Sequence, residues 1–260
     1  QSLDEMIEAV KSTREDPSIA CIVFQGAGNQ AFSAGGDFYA MKRLTFTNAA
    51  MWNDRMLGLA MAIRGVPIPV IAKVNGWCMG GGHELALWCD LVIASEKSML
   101  GQTGAKVGAC PTVGATQYLP RIIGERLARE MIFLARRFTA AEAEKIGLIN
   151  KCVPEDKLDE ETLAWCETIK GHSSQTIRMT KKSLNMESDQ LYGSWQQGME
   201  LLAHVWGSEE SLEGMNAFLE GRKPDFQKFR LRNKAALEEY LDGFHRHLNA
   251  PPDMRNFPED

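Results

Sequence analysis

The chain has 260 residues, of which 44% are hydrophobic, and a net charge of -5. This length and composition are enough to bury a substantial core. The acidic balance, with a pI near 5.7, excludes a global positive field that would attract nucleic acid or an anionic membrane. The longest apolar runs fall short of the roughly 20 residues that span a bilayer. We therefore expect a globular protein that binds neither nucleic acid nor membrane.

The cysteines are scattered along the chain without a Cys-x-x-Cys pair. They are Cys21, Cys78, Cys89, Cys110, Cys152 and Cys166. This pattern predicts reduced thiols, a cytoplasmic location and no metal site. The chain starts at Gln1 directly in a helical pattern, so we interpret it as a fragment whose natural start is missing.

The first half of the chain alternates strand and helix patterns. Short apolar runs rich in β-branched residues predict buried parallel strands at 21–25, 70–74 and 91–94. Helical spacing predicts helices at 49–64, 82–89 and 115–123, the last after a loop-rich stretch at 95–114. This alternation predicts an α/β domain whose ligand lies at the C-terminal ends of the strands.

The second half of the chain is nearly all helical in pattern. Thr139 followed by Glu142 is typical of a capping box at the start of a helix. The predicted helices are at 127–136, 140–145, 158–170, 174–186, 191–206 and 209–220, and an amphipathic tail covers 231–247. We divide the chain into a core at 1–190 and a C-terminal helical region with its tail at 191–260.

Two glycine-rich turns are the strongest functional signal. One is Ser33-Ala34-Gly35-Gly36-Asp37 and the other is Met79-Gly80-Gly81-Gly82-His83-Glu84. Glycines at strand ends let a ligand approach the backbone closely, and the second turn also opens a helix. Two such turns can converge on one oxygen and stabilise an oxyanion with their N–H groups. Neither turn has the spacing of a dinucleotide or phosphate loop.

These turns and their surroundings resemble the crotonase (enoyl-CoA hydratase/isomerase) superfamily. The resemblance rests on the segments 31–37, 69–76, 80–86, 101–102, 115–117, 140–148 and 213–223 and covers nearly residues 1–230. It implies a crotonase (ClpP-like) α/β fold of repeated ββα units, with a C-terminal helical layer that forms trimers or hexamers. It also implies an acyl-CoA thioester as substrate and no separate cofactor. The opening strand hairpin of the family and a basic loop before the first helix are absent.

The resemblance assigns roles to single positions. Gly36 and Gly81 would supply the two oxyanion N–H groups. Ser33, Ala34 and Asp37 would lie near the CoA moiety. Phe226 and Lys228 occupy positions from which the family approaches CoA, often from a neighbouring subunit. Met41, with Phe46, Trp52 and Met56, falls in the variable acyl-pocket region, and Trp77 precedes the second turn, where its side chain would line the acyl pocket.

Glu84 is the leading candidate for proton transfer. It matches the first of the two catalytic glutamates of enoyl-CoA hydratases, and burial would raise its pKa while the helix dipole would lower it. The second glutamate is replaced by Gly104, beside which a ring, a water chain or a small anion would have space. We expect His83 to point away from Glu84 and to serve packing.

The loop at 101–108 changes the choice of reaction. It is similar to the corresponding loop of 1,4-dihydroxy-2-naphthoyl-CoA synthases and 2-ketocyclohexanecarboxyl-CoA hydrolases, but these families usually lack a glutamate at the position of Glu84. We therefore expect an enoyl-CoA hydratase acting on an unsaturated, cyclic or open-chain acyl-CoA. The alternatives are a ring-cleaving or ring-forming enzyme and a noncatalytic CoA-ester- or RNA-binding relative.

Overall fold

The computed structural model describes residues 2–248, with side chains described to residue 246. Its first half consists of three successive strand pairs, each followed by a helix. The pairs are β1 (Ile22–Gln25) with β2 (Ala31–Ser33), β3 (Val70–Val74) with β4 (Trp77–Met79), and β5 (Leu91–Ser95) with β6 (Met99–Gly101). Two later strands, β7 (Arg137–Thr139) and β8 (Lys151–Val153), complete the sheets.

Each strand pair contributes one strand to each of two sheets. One sheet has the order β1-β3-β5-β8 and the other has the order β2-β4-β6-β7. All pairings in the first sheet are parallel, and β7 joins the second sheet antiparallel to β6. Because β2, β4 and β6 run parallel, the segments that follow them meet at one edge of the second sheet.

In the described part of the chain, one helix precedes the first strand, and seven more lie between the later strands in chain order. They are α1 (Ser2–Ser12), α2 (Phe38–Met41), α3 (Phe46–Gly65), α4 (Gly81–Trp88), α5 (Gly104–Val107), α6 (Ala115–Ile123), α7 (Glu125–Phe133) and α8 (Ala140–Lys145). The second half adds α9 (Leu158–Lys170), α10 (Ser174–Asp189), α11 (Tyr192–Val205), α12 (Glu209–Leu219) and α13 (Gln227–Leu248). No helix in the described range is both long and apolar enough to cross a membrane.

Local sequence explains where several helices begin. Thr139 and Glu142 form the predicted capping box, in which each side chain bonds the other residue's backbone N–H. Thr45 and Asn48 cap α3 in the same reciprocal way. At Gly82 in α4, an added Cβ would lie 2.2 Å from the carbonyl oxygen of Ser33, so only glycine allows this helix to approach β2.

The predicted elements are largely confirmed, with a correction in the sheets. The strands at 70–74 and 91–94 and the helices at 115–123 and 158–170 occur as predicted, to within a residue. The sequence patterns missed β2, β4, β6 and β7, which have only three residues each and no alternation to recognise. The glycine turns therefore follow β2 and β4 of the second sheet, rather than the longer strands β1 and β3. The tail beyond residue 248 lies outside the described residues.

An ion pair between the buried Lys181 and the partly exposed Asp90 joins α10 to the first sheet. Lys181 is 6% exposed, and its Nζ donates to Asp90 Oδ2 at 2.6 Å and to the carbonyl oxygens of Ile63 and Ile68 at 3.0 Å each. Asp90 Oδ2 also accepts from the Val70 N–H at 2.7 Å. Every hydrogen of the ammonium group is thus paired, which offsets the cost of removing it from water.

We predict that Lys181→Met lowers the free energy of unfolding by about 3 kcal/mol, because the substitution leaves Asp90 without its cation and two carbonyl groups without a donor. Urea unfolding measures this change. Lys182→Met, at the adjacent exposed position, is the matched control and should change stability by less than about 0.5 kcal/mol. Equal effects of the two substitutions would contradict the role given to Lys181.

Candidate active site

A cleft of about 710 Å³ lies at the C-terminal ends of β2, β4 and β6. Each strand leads directly into residues that line it: Ala34 to Gly36 after β2, Gly80 and Gly81 after β4, and Gln102 to Gly104 after β6. The predicted ligand position at the strand ends therefore coincides with a cleft. Such clefts are the usual binding sites of α/β domains.

The two glycine turns converge in this cleft. A Cβ on Gly81 would lie 3.7 Å from the Cα of Gly35 and 3.9 Å from the amide nitrogen of Gly36. Gly35 has φ +101, a conformation that L side chains rarely adopt. Among the described residues, neither the Gly36 nor the Gly81 N–H donates to a protein acceptor. The turns thus bring two unpaired N–H donors together, as an oxyanion site requires.

Glu84 lines the same cleft from the first turn of α4. Its side chain is only 4% exposed, and Oε1 accepts from the backbone N–H of Val113 at 2.8 Å and of Ala115 at 3.4 Å. The indole N–H of Trp88 donates to the Val113 carbonyl oxygen at 2.8 Å and so helps to hold Val113 in place. Among the described residues, these hydrogen bonds hold only Oε1 of the two carboxylate oxygens.

Burial makes Glu84 a weak acid. Desolvation raises the pKa of its carboxyl from 4.5 to about 8, against the two backbone hydrogen bonds, which lower it. The balance that the sequence left open therefore favours the neutral form. A carboxyl group with a pKa near neutrality can both accept and return a proton during turnover.

Gly104 lines the cleft, but the direction in which a side chain would project from it is filled. A Cβ at this position would lie 2.5 Å from the Ala109 carbonyl oxygen and 3.7 Å from Pro111 Cδ. No side chain fits there while the loop keeps its conformation. The expectation that a ring, a water chain or an anion lies beside Gly104, on the side that faces the cleft, stays a prediction.

Two buried polar side chains lie beside the second glycine turn. His83 is 1% exposed, and burial lowers the pKa of its imidazole to about 4, so the ring is neutral. Its Nδ1 contacts Gln102 Nε2 at 3.0 Å, and it does not line the cleft, as expected. Gln102, which lines the cleft, is the polar side chain whose role sequence reasoning missed.

Part of the region expected to form the acyl pocket lines the cleft. Met41, Trp52 and Met56 line the cleft, whereas Phe46 is 54% exposed and stacks on His204. Leu202 and Trp206 also line the cleft, from the far end of α11, and Trp52 meets Trp206 edge to face at 5.7 Å. No local sequence signal connects these distant residues, which reach the cleft only through packing of α11 on α3.

The remaining predicted site residues divide into two groups. Ser33, Ala34 and Asp37 line the cleft, and Asp37 caps α2 through its bond to the Tyr39 N–H at 2.9 Å. Trp77 does not line the cleft, because it is 43% exposed and its ring lies under the Arg137 guanidinium. Its expected place in the acyl pocket is therefore corrected.

Phe226 and Lys228 are also absent from the cleft of their own chain. The Lys228 ammonium instead bonds Glu213 Oε2 at 3.3 Å, beside the stronger pair of Glu213 with Arg222. Approach to a neighbouring subunit's cleft, which the resemblance implies, stays a prediction. Among the described residues, no group of three His, Cys, Asp or Glu side chains is placed to hold a metal ion.

The comparison with protein families agrees with this geometry. The family model of enoyl-CoA hydratase/isomerase matches residues 1–230. The chain belongs to this family. The family's members include hydratases, isomerases and decarboxylases, so this chain is a crotonase-superfamily enzyme. Family membership alone does not determine which of these reactions it catalyses.

Solved structures support the same fold. The enoyl-CoA hydratase of Bacillus anthracis is 30% identical, with a TM-score of 0.69 and coverage of 86% of this chain and 87% of that chain. An enoyl-CoA hydratase from Mycobacterium avium subsp. paratuberculosis is 27% identical, with a TM-score of 0.79 and the same coverage. A methylmalonyl-CoA decarboxylase in complex with 2-nitronate-propionyl-CoA is 29% identical, with a TM-score of 0.75 and again the same coverage. The crotonase fold predicted from the sequence is thus confirmed, although these relatives catalyse different reactions.

We predict that Glu84→Gln stabilises the protein in a pH-dependent way. Between pH 4.5 and about 8 the folded chain keeps the Glu84 proton that the unfolded chain has lost, so stability falls as pH rises through this window. Glutamine removes this loss. The substitution changes the free energy of unfolding at each pH. We expect this change to be more stabilising at pH 9 than at pH 4 by a few kcal/mol, since one pKa unit corresponds to about 1.4 kcal/mol.

Chemical denaturation at the two pH values measures the difference. Glu144→Gln, at an exposed position of α8, is the control and should show no such difference. If Glu84→Gln changed stability equally at both pH values, the carboxyl would not be buried in its neutral form.

Proposed function

We propose that this enzyme hydrates an α,β-unsaturated acyl-CoA thioester with Glu84 as its single catalytic carboxyl group. The observation that carries the proposal is the position of Glu84, buried in the same cleft as the unpaired N–H groups of Gly36 and Gly81. The two N–H groups polarise a thioester carbonyl, and Glu84 moves a proton next to that carbonyl. CoA enters as part of the substrate, and no separate cofactor is needed.

The proposed reaction is balanced without a second acid. The Glu84 carboxylate takes one proton from water while the water oxygen adds to the β-carbon of the enoyl group. The electron pair of the double bond moves to the thioester, and the resulting enolate oxygen is held by the Gly36 and Gly81 N–H groups. Glu84 then returns the proton to the α-carbon, giving a 3-hydroxyacyl thioester and the carboxylate again.

The fixed loop at Gly104 supports a one-carboxylate mechanism. The backbone of Ala109 occupies the place where a side chain would begin, and Gly108 packs so tightly that its own Cβ would lie 2.6 Å from the Glu210 carbonyl oxygen. The loop is therefore clamped between the cleft and α12. A second carboxylate is excluded from this position by packing as well as by sequence.

The aromatic wall favours a second candidate substrate class. Trp52, Trp88 and Trp206 line the cleft together with Phe38 and Met41. Flat apolar side chains of this kind suit an alicyclic or aromatic-derived acyl group. This wall and the loop at 101–108 also support the alternative of a ring-cleaving or ring-forming enzyme.

A substrate panel separates these possibilities. We would incubate the enzyme with 2-butenoyl-CoA, cyclohex-1-ene-1-carbonyl-CoA and 2-oxocyclohexane-1-carbonyl-CoA and follow the products by mass spectrometry. Hydration adds one water to either enoyl thioester and leaves any ring closed. Addition of water only to the β-keto thioester, with ring opening, would reject the hydratase in favour of the hydrolase.

We predict that Glu84→Gln lowers kcat for hydration by about 10³-fold, because glutamine cannot accept the proton of water. In the wild type, kcat/KM should rise with pH and level off above about 8, since the ionised carboxyl is the form that starts the reaction. Steady-state kinetics over pH 5–10 measure both effects, with pH values chosen around the group's pKa. A flat pH profile, or near wild-type turnover by the variant, would remove Glu84 from this role.

We further propose that the chain self-associates as a trimer or hexamer and acts in the cytoplasm. In the single chain, α13 exposes a series of apolar side chains to water: Leu231, Leu237, Tyr240, Leu241 and Phe244. Contact with a neighbouring subunit would remove them from water. Sedimentation equilibrium gives the mass in solution. A monomer at micromolar concentration would reject the oligomer.

A further inference from the structure

Gln102 lines the cleft and carries a buried, unpaired oxygen. The side chain is 1% exposed, and its Oε1 has no hydrogen-bond partner in the described part of the chain. Its Nε2 is fully used, because it contacts the Gly80 carbonyl oxygen at 3.3 Å and His83 Nδ1 at 3.0 Å. A buried acceptor without a partner is unfavourable, so a ligand that donates to it would be favoured.

The orientation of this amide follows from its two neighbours. The Gly80 carbonyl oxygen can only accept, and His83, which is neutral, presents its Nδ1 lone pair when the ring proton is on Nε2. Rotating the amide by half a turn would bring two oxygens within 3.3 Å of each other. Oε1 is therefore the atom left facing away from both partners.

Gln102 and Glu84 are anchored at the same point. The Gly80 carbonyl oxygen accepts from the Glu84 backbone N–H at 3.0 Å and from Gln102 Nε2 at 3.3 Å. Both side chains line the cleft beside Gly81. Gly104, only two residues after Gln102, has no room for a carboxylate. Gln102 is thus a polar side chain close in sequence to the missing group, and its amide oxygen has no partner in the described part of the chain.

We propose that Gln102 Oε1 accepts a hydrogen bond from the nucleophilic water and so replaces the second carboxylate that is absent at Gly104. The inference rests on the proposed hydration. Glu84 removes one hydrogen of the water as a proton, while the other hydrogen stays on the oxygen and bonds to Oε1. The amide gains and loses no proton, and it fixes the direction from which the oxygen attacks the β-carbon.

Two reactions of the enzyme distinguish this role from a structural one. Hydration of 2-butenoyl-CoA and cyclohex-1-ene-1-carbonyl-CoA requires positioned water. Exchange of the α-hydrogen of butanoyl-CoA and cyclohexanecarbonyl-CoA in D₂O requires Glu84 and the two glycine turns but no water addition. Gln102→Met should lower kcat for hydration by about 10–100-fold, with KM and the exchange rate within about threefold of wild type.

The companion variants separate the acceptor from the donor. Gln102→Glu keeps an oxygen acceptor, so its hydration should be at least about fivefold faster than that of Gln102→Met. Gln117→Met is the matched control, because Gln117 lies outside the cleft, where its Nε2 bonds the Ser194 carbonyl oxygen at 3.2 Å. It should hydrate and exchange like wild type.

Other outcomes overturn the inference. Wild-type hydration by Gln102→Met would show that the oxygen is not used, and a parallel loss of hydration and exchange would show that Gln102 only supports the Gly80 turn. If the wild-type enzyme itself exchanged α-hydrogens without hydrating either enoyl probe, the inference would fall with the hydratase reaction. Absence of exchange in the wild type would reject the enolate chemistry of the proposed function as a whole.

Discussion

The close approach of two strand ends determines the rest of this structure. The backbone at Ser33, the last residue of β2, meets the start of α4 so tightly that a Cβ on Gly82 would lie 2.2 Å from the Ser33 carbonyl oxygen. This contact places Gly81 beside Gly35 and Gly36, and Glu84 in the first turn of α4 lines the cleft. Glu84 and Gln102 both depend on it, because both bond the carbonyl oxygen of Gly80. A larger residue at Gly82 would separate these elements, so the packing and the chemistry share one constraint.

The site contains a buried ionisable group whose charged form is disfavoured by the fold. Glu84 is buried with one oxygen bonded to backbone N–H groups, and its raised pKa means that its ionised form is disfavoured by the fold. Lys181 is equally buried, yet it has a carboxylate and two carbonyl oxygens as partners. Lys181 thus has a partner for each of its hydrogens, whereas the carboxyl group of Glu84 is only partly paired. Incomplete pairing of a buried ionisable group is characteristic of catalytic positions.

The parts that the sequence predicts are those with local causes. The glycine turns, the capping box at Thr139 and the buried strands at 70–74 and 91–94 each follow from neighbouring residues. The short strands β2, β4 and β6 escape prediction because three residues carry no periodicity, although they position the turns. Trp206 and the N–H group of Val113 could not be assigned, since they reach the cleft by packing of distant segments. Trp77 was misplaced because the pattern does not show which face of its short strand points outwards.

The central claim is that the Gly36 and Gly81 N–H groups polarise a thioester carbonyl. Isotope-edited infrared difference spectroscopy of bound, ¹³C-carbonyl-labelled butanoyl-CoA tests it most directly. Two donors to one oxygen should shift the carbonyl stretch to lower frequency relative to the free thioester. Gly81→Pro should reverse much of this shift, because proline lacks the N–H but is accepted at the first residue of a helix. A carbonyl frequency that does not change on binding, or that is insensitive to Gly81→Pro while the thioester still binds, would contradict the account.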